Sequence, residues 1–270
     1  MTDDAVRYAL RGGSEGRERL RVLARVLRPT TLALFDRLGI GAGMRCLDVG
    51  CGGGDVTLEL AARVAPSGHV VGVDVDAAKV ELARAEAAER GVANVEFRAA
   101  DLRTLAGGSF DVVYARFVLS HLSDPGAAVA VFRRHLRPGG LLVVEDTDFA
   151  GYFAYPPTES FDRFLELYRA VVGGRGGDPD IGPRLPAMLA AAGLDAVGAG
   201  VVQPMGTTGD VKLVNPLTMR NVGDAVVADG LASAAEVDRI VADLQAFAED
   251  PTTFAGVVRV VQAWGRRAAE

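Results

Sequence analysis

The sequence predicts an α/β fold: five parallel strands followed by a C-terminal pair, with helices covering both faces of the sheet. Three observations predict it. From Met44 to about Asp148, short apolar and β-branched runs alternate with longer helical periods, which is the pattern of βαβ units around a parallel sheet. Those runs are continuously apolar, as in strands buried on both faces. Two further apolar segments, Leu194–Gln203 and Phe254–Ala263, supply the C-terminal pair.

The elements follow in order. Glu15–Leu38 reads as a helical stretch, with Leu20, Leu23, Ala24 and Leu27 at helical spacing until Pro29 interrupts it. Met44–Val49 is a first strand, Asp55–Ala65 a helix and His69–Asp74 a second strand. Ala77–Arg90 is an alanine-rich helix ending at Gly91, where a left-handed cap suits glycine. Asn94–Arg98 and Phe110–Ala115 are the third and fourth strands. Pro125–Leu136 is a helix stopped by Pro138-Gly139-Gly140, and Leu141–Asp146 is the fifth strand. Beyond it, Glu159–Val172 reads as a helix and Gly173–Gly177 as a flexible run. Pro183–Ala192 is a helix closed by Gly193, Asp210–Gly230 is irregular and Ala234–Glu249 is helical. The chain divides accordingly into an N-terminal helical leader over 1–39, a core over 40–148, and a cap insertion with the completing strands over 149–270.

Composition narrows the functional classes. At 270 residues the chain is one large domain or a core with a substantial appendage, and 49% hydrophobic with 24% charged residues excludes disordered and fibrous classes. No apolar run approaches the ~20 residues that cross a bilayer, and Met1-Thr2-Asp3-Asp4 is acidic where a signal peptide would be basic. A soluble, cytoplasmic protein is expected. The net charge of −6 and the absence of a basic patch argue against nucleic acid and membrane partners. Lysine occurs only at 79 and 212, so the abundant arginines look like coding bias. Cys46 and Cys51 share one short segment and the three histidines are scattered, so no metal site is expected. The oligomeric state stays open, a homodimer included.

The chemistry concentrates at the strand ends. Leu47-Asp48-Val49-Gly50-Cys51-Gly52-Gly53-Gly54-Asp55 joins the first strand to its helix, where an open α/β sheet places its ligand crevice. A dinucleotide fingerprint wants G-x-G-x-x-G, but the register here gives Gly50, Gly52, Gly54 and then Asp55 in place of the last glycine. Asp55 reads as the N-cap of the following helix, and its carboxylate would occupy the donors that a pyrophosphate needs. The motif therefore suits a nucleoside without phosphates and disfavours NAD. Asp74 lies 24 residues beyond Gly50 at the end of the second strand, the place of an acid that grips ribose hydroxyls. Asp101, at the exit of the third strand, is placed to accept from an exocyclic amine or to cap the next segment.

In these motifs the chain resembles the class I S-adenosylmethionine-dependent methyltransferases. The likeness rests on LDVGCGGG, VVGVDVD, AADL, FDVVYARFVLSHL and LRPGGLLVVED, in that order over about residues 40–148. It implies a Rossmann-like seven-stranded fold with an antiparallel C-terminal pair and S-adenosyl-L-methionine as cofactor, S-adenosyl-L-homocysteine being the product. It also implies that Gly50 and Gly52 pass beneath the methionine part, Asp74 holds the ribose, and Val75 meets the adenine face. Asp101 and the backbone of Leu102 would read the adenine edge, and Asp48 would lie near the cofactor amino group or brace the loop. The N-terminal phrase YALRGGSEGRERLRVLARVL is similar to a leader that folds over the cofactor in a bacterial branch of the superfamily, with Tyr8 as a contact.

The acceptor side is read from the remaining strand ends. Nucleic-acid amino-methyltransferases carry an Asn/Asp-Pro-Pro-aromatic sequence after the fourth strand, where this chain has Tyr114-Ala115-Arg116-Phe117, so a small-molecule acceptor is expected, as in bacterial specialised metabolism. The acceptor atom, O, N or C, is left open. Phe149, Tyr152, Phe153, Tyr168 and Met205 are candidate acceptor contacts, with core packing as the alternative for the aromatic group after the fifth strand. Arg116 would meet the cofactor carboxylate, a substrate anion, or a surface acid. His121 is either a general base for a hydroxyl acceptor or a structural histidine, the latter preferred. A SAM-binding protein without transferase activity is the alternative that the cofactor motifs alone do not separate. A lid over residues 149–177, swung on its glycines, completes the expected site.

Overall fold

The structure is a computed structural model that describes residues 13–101 and 108–269. Its centre is one sheet of β3 (Val95–Ala99), β2 (His69–Asp74), β1 (Arg45–Val49), β4 (Phe110–Arg116), β5 (Leu136–Asp148), β9 (Arg259–Arg267) and β6 (Leu194–Val202), in that spatial order. The first five run parallel, and β9 pairs antiparallel with both β5 and β6. This is the Rossmann-like seven-stranded arrangement the sequence predicts.

Period-two alternation distributes the strands' side chains between two cores. Cys46, Val70, Val112, Tyr114 and Val143 face α1 (Gly13–Arg37) and α2 (Asp55–Val64), while Leu47, Val71, Val113, Ala115 and Val144 face α4 (Pro125–Arg134) and α6 (Leu185–Ala191). α3 (Ala77–Glu89) closes a smaller cluster around Phe97. A further core joins the N-terminal half of α1 (Val22, Leu23, Leu27) to α5 (Glu159–Gly174), α7 (Asp210–Ala228) and α8 (Ala234–Glu249). α1 thus spans two cores and ties the sheet to the helices beyond its C-terminal edge.

Four local expectations are corrected. α1 continues through Pro29, because Leu27 on one side and Leu34 and Phe35 on the other are buried, and that packing outweighs the hydrogen bond proline cannot make. Asp210–Gly230 is not irregular: α7 covers most of it and carries Pro216 and Gly223 inside, with Asn215, Met219, Val222 and Val226 buried. β5 begins at Leu136, so Pro138-Gly139-Gly140 sits within a strand irregularity, Phe110 pairing with Leu136 and Val112 with Leu141. The last strand lies later than Phe254–Ala263. Phe254 instead bridges Tyr155, and Ala255–Gly256 (β8) pairs with Met205–Gly206 (β7) before β9 starts.

Lys212 of α7 is buried, with its ammonium at 3.1 Å from the Thr207 carbonyl and 2.6 Å from Thr253 Oγ1. It also takes the Asp250 carbonyl at 2.5 Å, pinning the end of α8 to α7. Cys46 and Cys51 are both buried free thiols. Among the described residues no helix is long and apolar enough to cross a membrane.

Candidate functional site

A cavity of about 1560 Å³ opens at the C-terminal edge of the parallel strands. The turn after β1 forms its floor. Gly54, at φ 82°, is the residue preceding α2, so Asp55 is the first helical residue and not the N-cap predicted from sequence. Its carboxylate instead meets Arg17 of α1, whose Nη2 donates to Asp55 Oδ1 at 3.0 Å and whose Nη1 binds Asp55 Oδ2. Arg17 also bonds Glu86 of α3, and it lies so close over the turn that a Cβ on Gly53 would overlap its guanidinium. A side chain there would displace the guanidinium from the turn. α1 therefore rests directly on the turn, with Leu20, Leu23 and Arg19 reaching the cavity wall.

Asp74 closes β2 and braces the same turn. The Gly52 N–H donates to its Oδ2 at 2.8 Å and the Asp76 N–H to its Oδ1 at 2.9 Å. Each oxygen keeps acceptor capacity beyond its one backbone donor. Val75, next in sequence, is 69% exposed although it lines the cavity, an apolar face bare for a flat ring to cover. Asp101 stands in the wall after β3, and Gly50 and Gly52 lie in the floor. Tyr8 and Leu102 lie outside the described residues.

Asp48 is buried beneath the turn and accepts from Thr57 Oγ1 at 2.6 Å. Burial pushes its carboxyl up to about 7, with Asp74 and Asp55 adding to the rise and the Thr57 bond and Arg116 charge opposing it. An unfolded aspartate releases its proton near pH ~4. Between about pH 4 and 7 the native state therefore holds a proton that the unfolded chain has lost, and rising pH costs stability through that window. Asp48→Asn, titrated with urea in the ligand-free protein, should gain on wild type as pH rises from 4 to 7, by up to about 4 kcal/mol at ~1.4 kcal/mol per pH unit. Parallel stability curves for the two proteins would remove Asp48 as a buried, protonated group.

The far wall is aromatic. Phe149 stacks on Tyr168 at 4.4 Å between centroids, and Tyr152 meets Phe149 edge-on at 5.6 Å. The Tyr152 hydroxyl donates to the Gly256 carbonyl at 2.8 Å and touches the Asn215 side-chain amide. Phe117, Phe164, Val214, Thr218 and Val257 complete this wall. Two expected acceptor contacts stand apart from it: Phe153 is exposed beside Phe254, and Met205 belongs to the small β7–β8 ribbon. Arg116 and His121 both line the cavity. The Arg116 Nη1 donates to Thr31 Oγ1 at 3.3 Å, and Thr31 donates to the buried Glu145. Burial, then the charges of Arg19 and Lys79, push His121 down to about 3, so its ring is neutral at physiological pH.

The cavity wall beyond the cofactor motifs comes from α1, α5 and α7 together with the segment after β4 and α4. Sequence reading placed Leu20 and Leu23 on a helix face without linking them to the site, and it missed Arg19 and Thr218, which carry no local signal. Their place is set by packing between segments far apart in the chain.

A family profile described as a methyltransferase domain matches residues 40–172. Residues 40–172 are a methyltransferase domain of the class I S-adenosylmethionine-dependent type. Nocamycin O-methyltransferase of Saccharothrix syringae is 43% identical over 115 residues, covering 42% of this chain and 41% of that protein. Demethylmenaquinone methyltransferase of Lactococcus lactis is 34% identical over 136 residues, covering 50% of this chain and 52% of that protein. The matched segment spans at most about half the length of such curated relatives. Phosphoethanolamine N-methyltransferase 2 of Haemonchus contortus, solved with S-adenosyl-L-methionine, is similar in fold at a TM-score of 0.59 and 16% identity, covering 93% of this chain and 57% of that one. S-adenosylmethionine is the cofactor of this class I family. The residues present fit it: a turn that exposes backbone, an acid with spare acceptor capacity at the end of β2, and an apolar face left open at Val75.

Proposed function

We propose that this methyltransferase transfers a methyl group from S-adenosylmethionine to a small, largely apolar molecule held against the aromatic wall. One observation carries the reading: a single cavity joins the ends of β1, β2 and β3 to Phe149, Tyr152 and Tyr168. At about 1560 Å³ it exceeds the ~300–1,000 Å³ of a pocket for one drug-sized ligand, which supports room for cofactor and acceptor together. The likeness to nocamycin O-methyltransferase supports an acceptor from bacterial specialised metabolism.

In this reading Asp74 takes the ribose hydroxyls, Val75 covers the adenine face and Asp101 with Leu102 reads its edge. Gly50 and Gly52 admit the methionine part against backbone, Asp48 faces its amino group and Arg116 its carboxylate, with Tyr8 closing over it. The cofactor supplies an activated methyl on a good leaving group. The chain's task is to align the acceptor in line with that methyl and to exclude water, an orientation effect worth several kcal/mol. The aromatic wall sets the acceptor plane, and α1 and α7 cover it. The proposed lid motion of residues 149–177 predicts greater hydrogen-exchange protection there when product cofactor and acceptor are both bound.

His121 is a positioning residue in this reading. A base held near pKa 3 has little driving force to take a proton from a hydroxyl acceptor. His121→Asn should therefore lower the melting temperature while costing less than about tenfold in rate, since loss of a true general base costs about 10²–10⁴. A rate loss of that larger size with unchanged melting would make His121 the base.

The deciding experiment is calorimetry with S-adenosylhomocysteine, followed by a methyl-transfer screen over small-molecule libraries that detects homocysteine formed from the product. No binding of S-adenosylhomocysteine would overturn the cofactor reading. Tight binding with no transfer to any acceptor would favour a cofactor-binding protein without transferase activity.

A further inference from the structure

We propose that the acceptor is a flat, largely apolar molecule bearing a carboxylate, and that Arg19 is the residue that receives it. The inference rests on the reading that this cavity holds an acceptor beside the cofactor.

Four permanently basic side chains line the cavity: Arg19, Lys79, Arg116 and Arg175. Two are paired with carboxylates within the protein, and a third, Arg116, is assigned above to the cofactor carboxylate. Arg175 pairs with Asp229 at 2.5 Å and Lys79 faces Asp76 at 3.6 Å, while Arg116 shares the field of buried Asp48 and bonds Thr31. Arg19 differs: among the described residues no carboxylate lies within ion-pair distance of it, and its one bond is from Nε to Thr218 Oγ1, at 3.0 Å.

That bond also orients it. The buried Thr218 hydroxyl donates to the Val214 carbonyl at 2.6 Å, which leaves its oxygen to accept from Arg19 Nε. With Nε held, the guanidinium plane is set and the Nη1–Nη2 edge keeps its donors, the fork that matches a carboxylate in two parallel hydrogen bonds. Arg19 lines the same cavity as His121 and Tyr152 and is bonded to Thr218 of α7, and its charge acts on both of those side chains.

The distribution of acids gives the sign of the partner. Asp48, Asp74 and Asp101 cluster at the ends of β1, β2 and β3, the side that suits a cationic cofactor. Beyond the cofactor motifs the lining acids among the described residues are Asp229, taken by Arg175, and Asp124, which caps α4 by accepting from the Ala127 N–H. A cationic amine acceptor would face the charge of Arg19, which no carboxylate among the described residues offsets at ion-pair distance. A carboxylate would supply the counter-charge that this half-buried guanidinium lacks among the described residues, and the stacked Phe149–Tyr168 pair would take its flat apolar body.

The test uses the full chain saturated with S-adenosylhomocysteine and titrated by calorimetry with 2-naphthoate and with 2-naphthamide, equal in shape and different in charge. The expected result is naphthoate binding about tenfold or more tighter than naphthamide, the scale of a charge-assisted fork. Arg19→Gln should reduce that preference to less than about threefold, Arg19→Lys should restore part of it, and both variants should bind S-adenosylhomocysteine as wild type does. Equal binding of the two probes, a preference that survives Arg19→Gln, or no naphthoate binding to the loaded protein would overturn the proposal. So would a large loss of S-adenosylhomocysteine affinity in Arg19→Gln, which would put Arg19 on the cofactor. Wild type failing to bind S-adenosylhomocysteine at all would instead overturn the underlying reading.

Discussion

Arg17→Ala should lower the melting temperature by about 10 °C, from a loss of ~3–5 kcal/mol at roughly 2–4 °C per kcal/mol in a chain of this size. Arg17 is 7% exposed, and its guanidinium joins Asp55 at the start of α2 to Glu86 on α3. Truncation strips Asp55 of its guanidinium and leaves the largely buried Glu86 to Arg21 and Arg90 alone, the expensive way to break a partly buried ion pair. Burial pushes the Glu86 carboxyl up, but its bonds to Arg17 and Arg21 outweigh that and hold it below the ordinary glutamate range. For a group lowered in the native state, the stability is present above its unfolded pKa and is lost as pH falls through the native one. The gap between Arg17→Ala and wild type should therefore be full at neutral pH and narrow below about pH 4. Because α1 also presses Leu20 toward Gly52 and carries Leu23 to the cavity, S-adenosylhomocysteine affinity should fall with stability. Calorimetric melting at pH 7 and pH 3.5 checks the claim, and an unchanged melting temperature at pH 7 would show that α1 is held by its apolar face alone.

Asp74→Ala should weaken S-adenosylhomocysteine binding by about 10- to 100-fold, since hydrogen bonds to a charged acceptor are worth ~1.5–3 kcal/mol. Its carboxylate has two tasks in the proposed site. It holds the turn through the N–H groups of Gly52 and Asp76, and its remaining acceptor capacity points to the ribose. Alanine removes both, so the turn should loosen in the ligand-free protein as well. Asp74→Asn keeps one acceptor oxygen but sets an amide donor against one of the two backbone N–H groups, and should recover affinity only in part. Unchanged calorimetric affinity in Asp74→Ala would remove Asp74 from the site.

Much of the molecule is legible from local chemistry. The strands show as apolar runs of the right length, and the predicted range His69–Asp74 is the range of β2 itself. The glycine turn and the acid after β2 lie within a few residues of their strand ends, so adjacency in sequence places both at one edge of the sheet. Where local signals mislead, tertiary burial is the reason. Pro29 reads as a break and Asp210–Gly230 as irregular, yet α1 runs through the one and α7 covers most of the other. Asp55 reads as a helix cap because its type favours that position, but Arg17 offers a full charge where the turn offers only backbone donors.

The sequence by itself determined the α/β class, the order of the parallel strands' motifs and the identity of the cofactor family, since each depends on residues that are neighbours in the chain. Only the tertiary structure decided which residues line the cavity beyond the cofactor motifs. Arg19 and Thr218 are 199 positions apart, and Arg17 and Glu86 are 69 apart, and no periodicity or propensity connects such pairs. Their meeting follows from α1 burying one stretch against the sheet and another against α5 and α7. A charge without a partner among the described residues, as at Arg19, is visible only after every neighbouring charge has been placed.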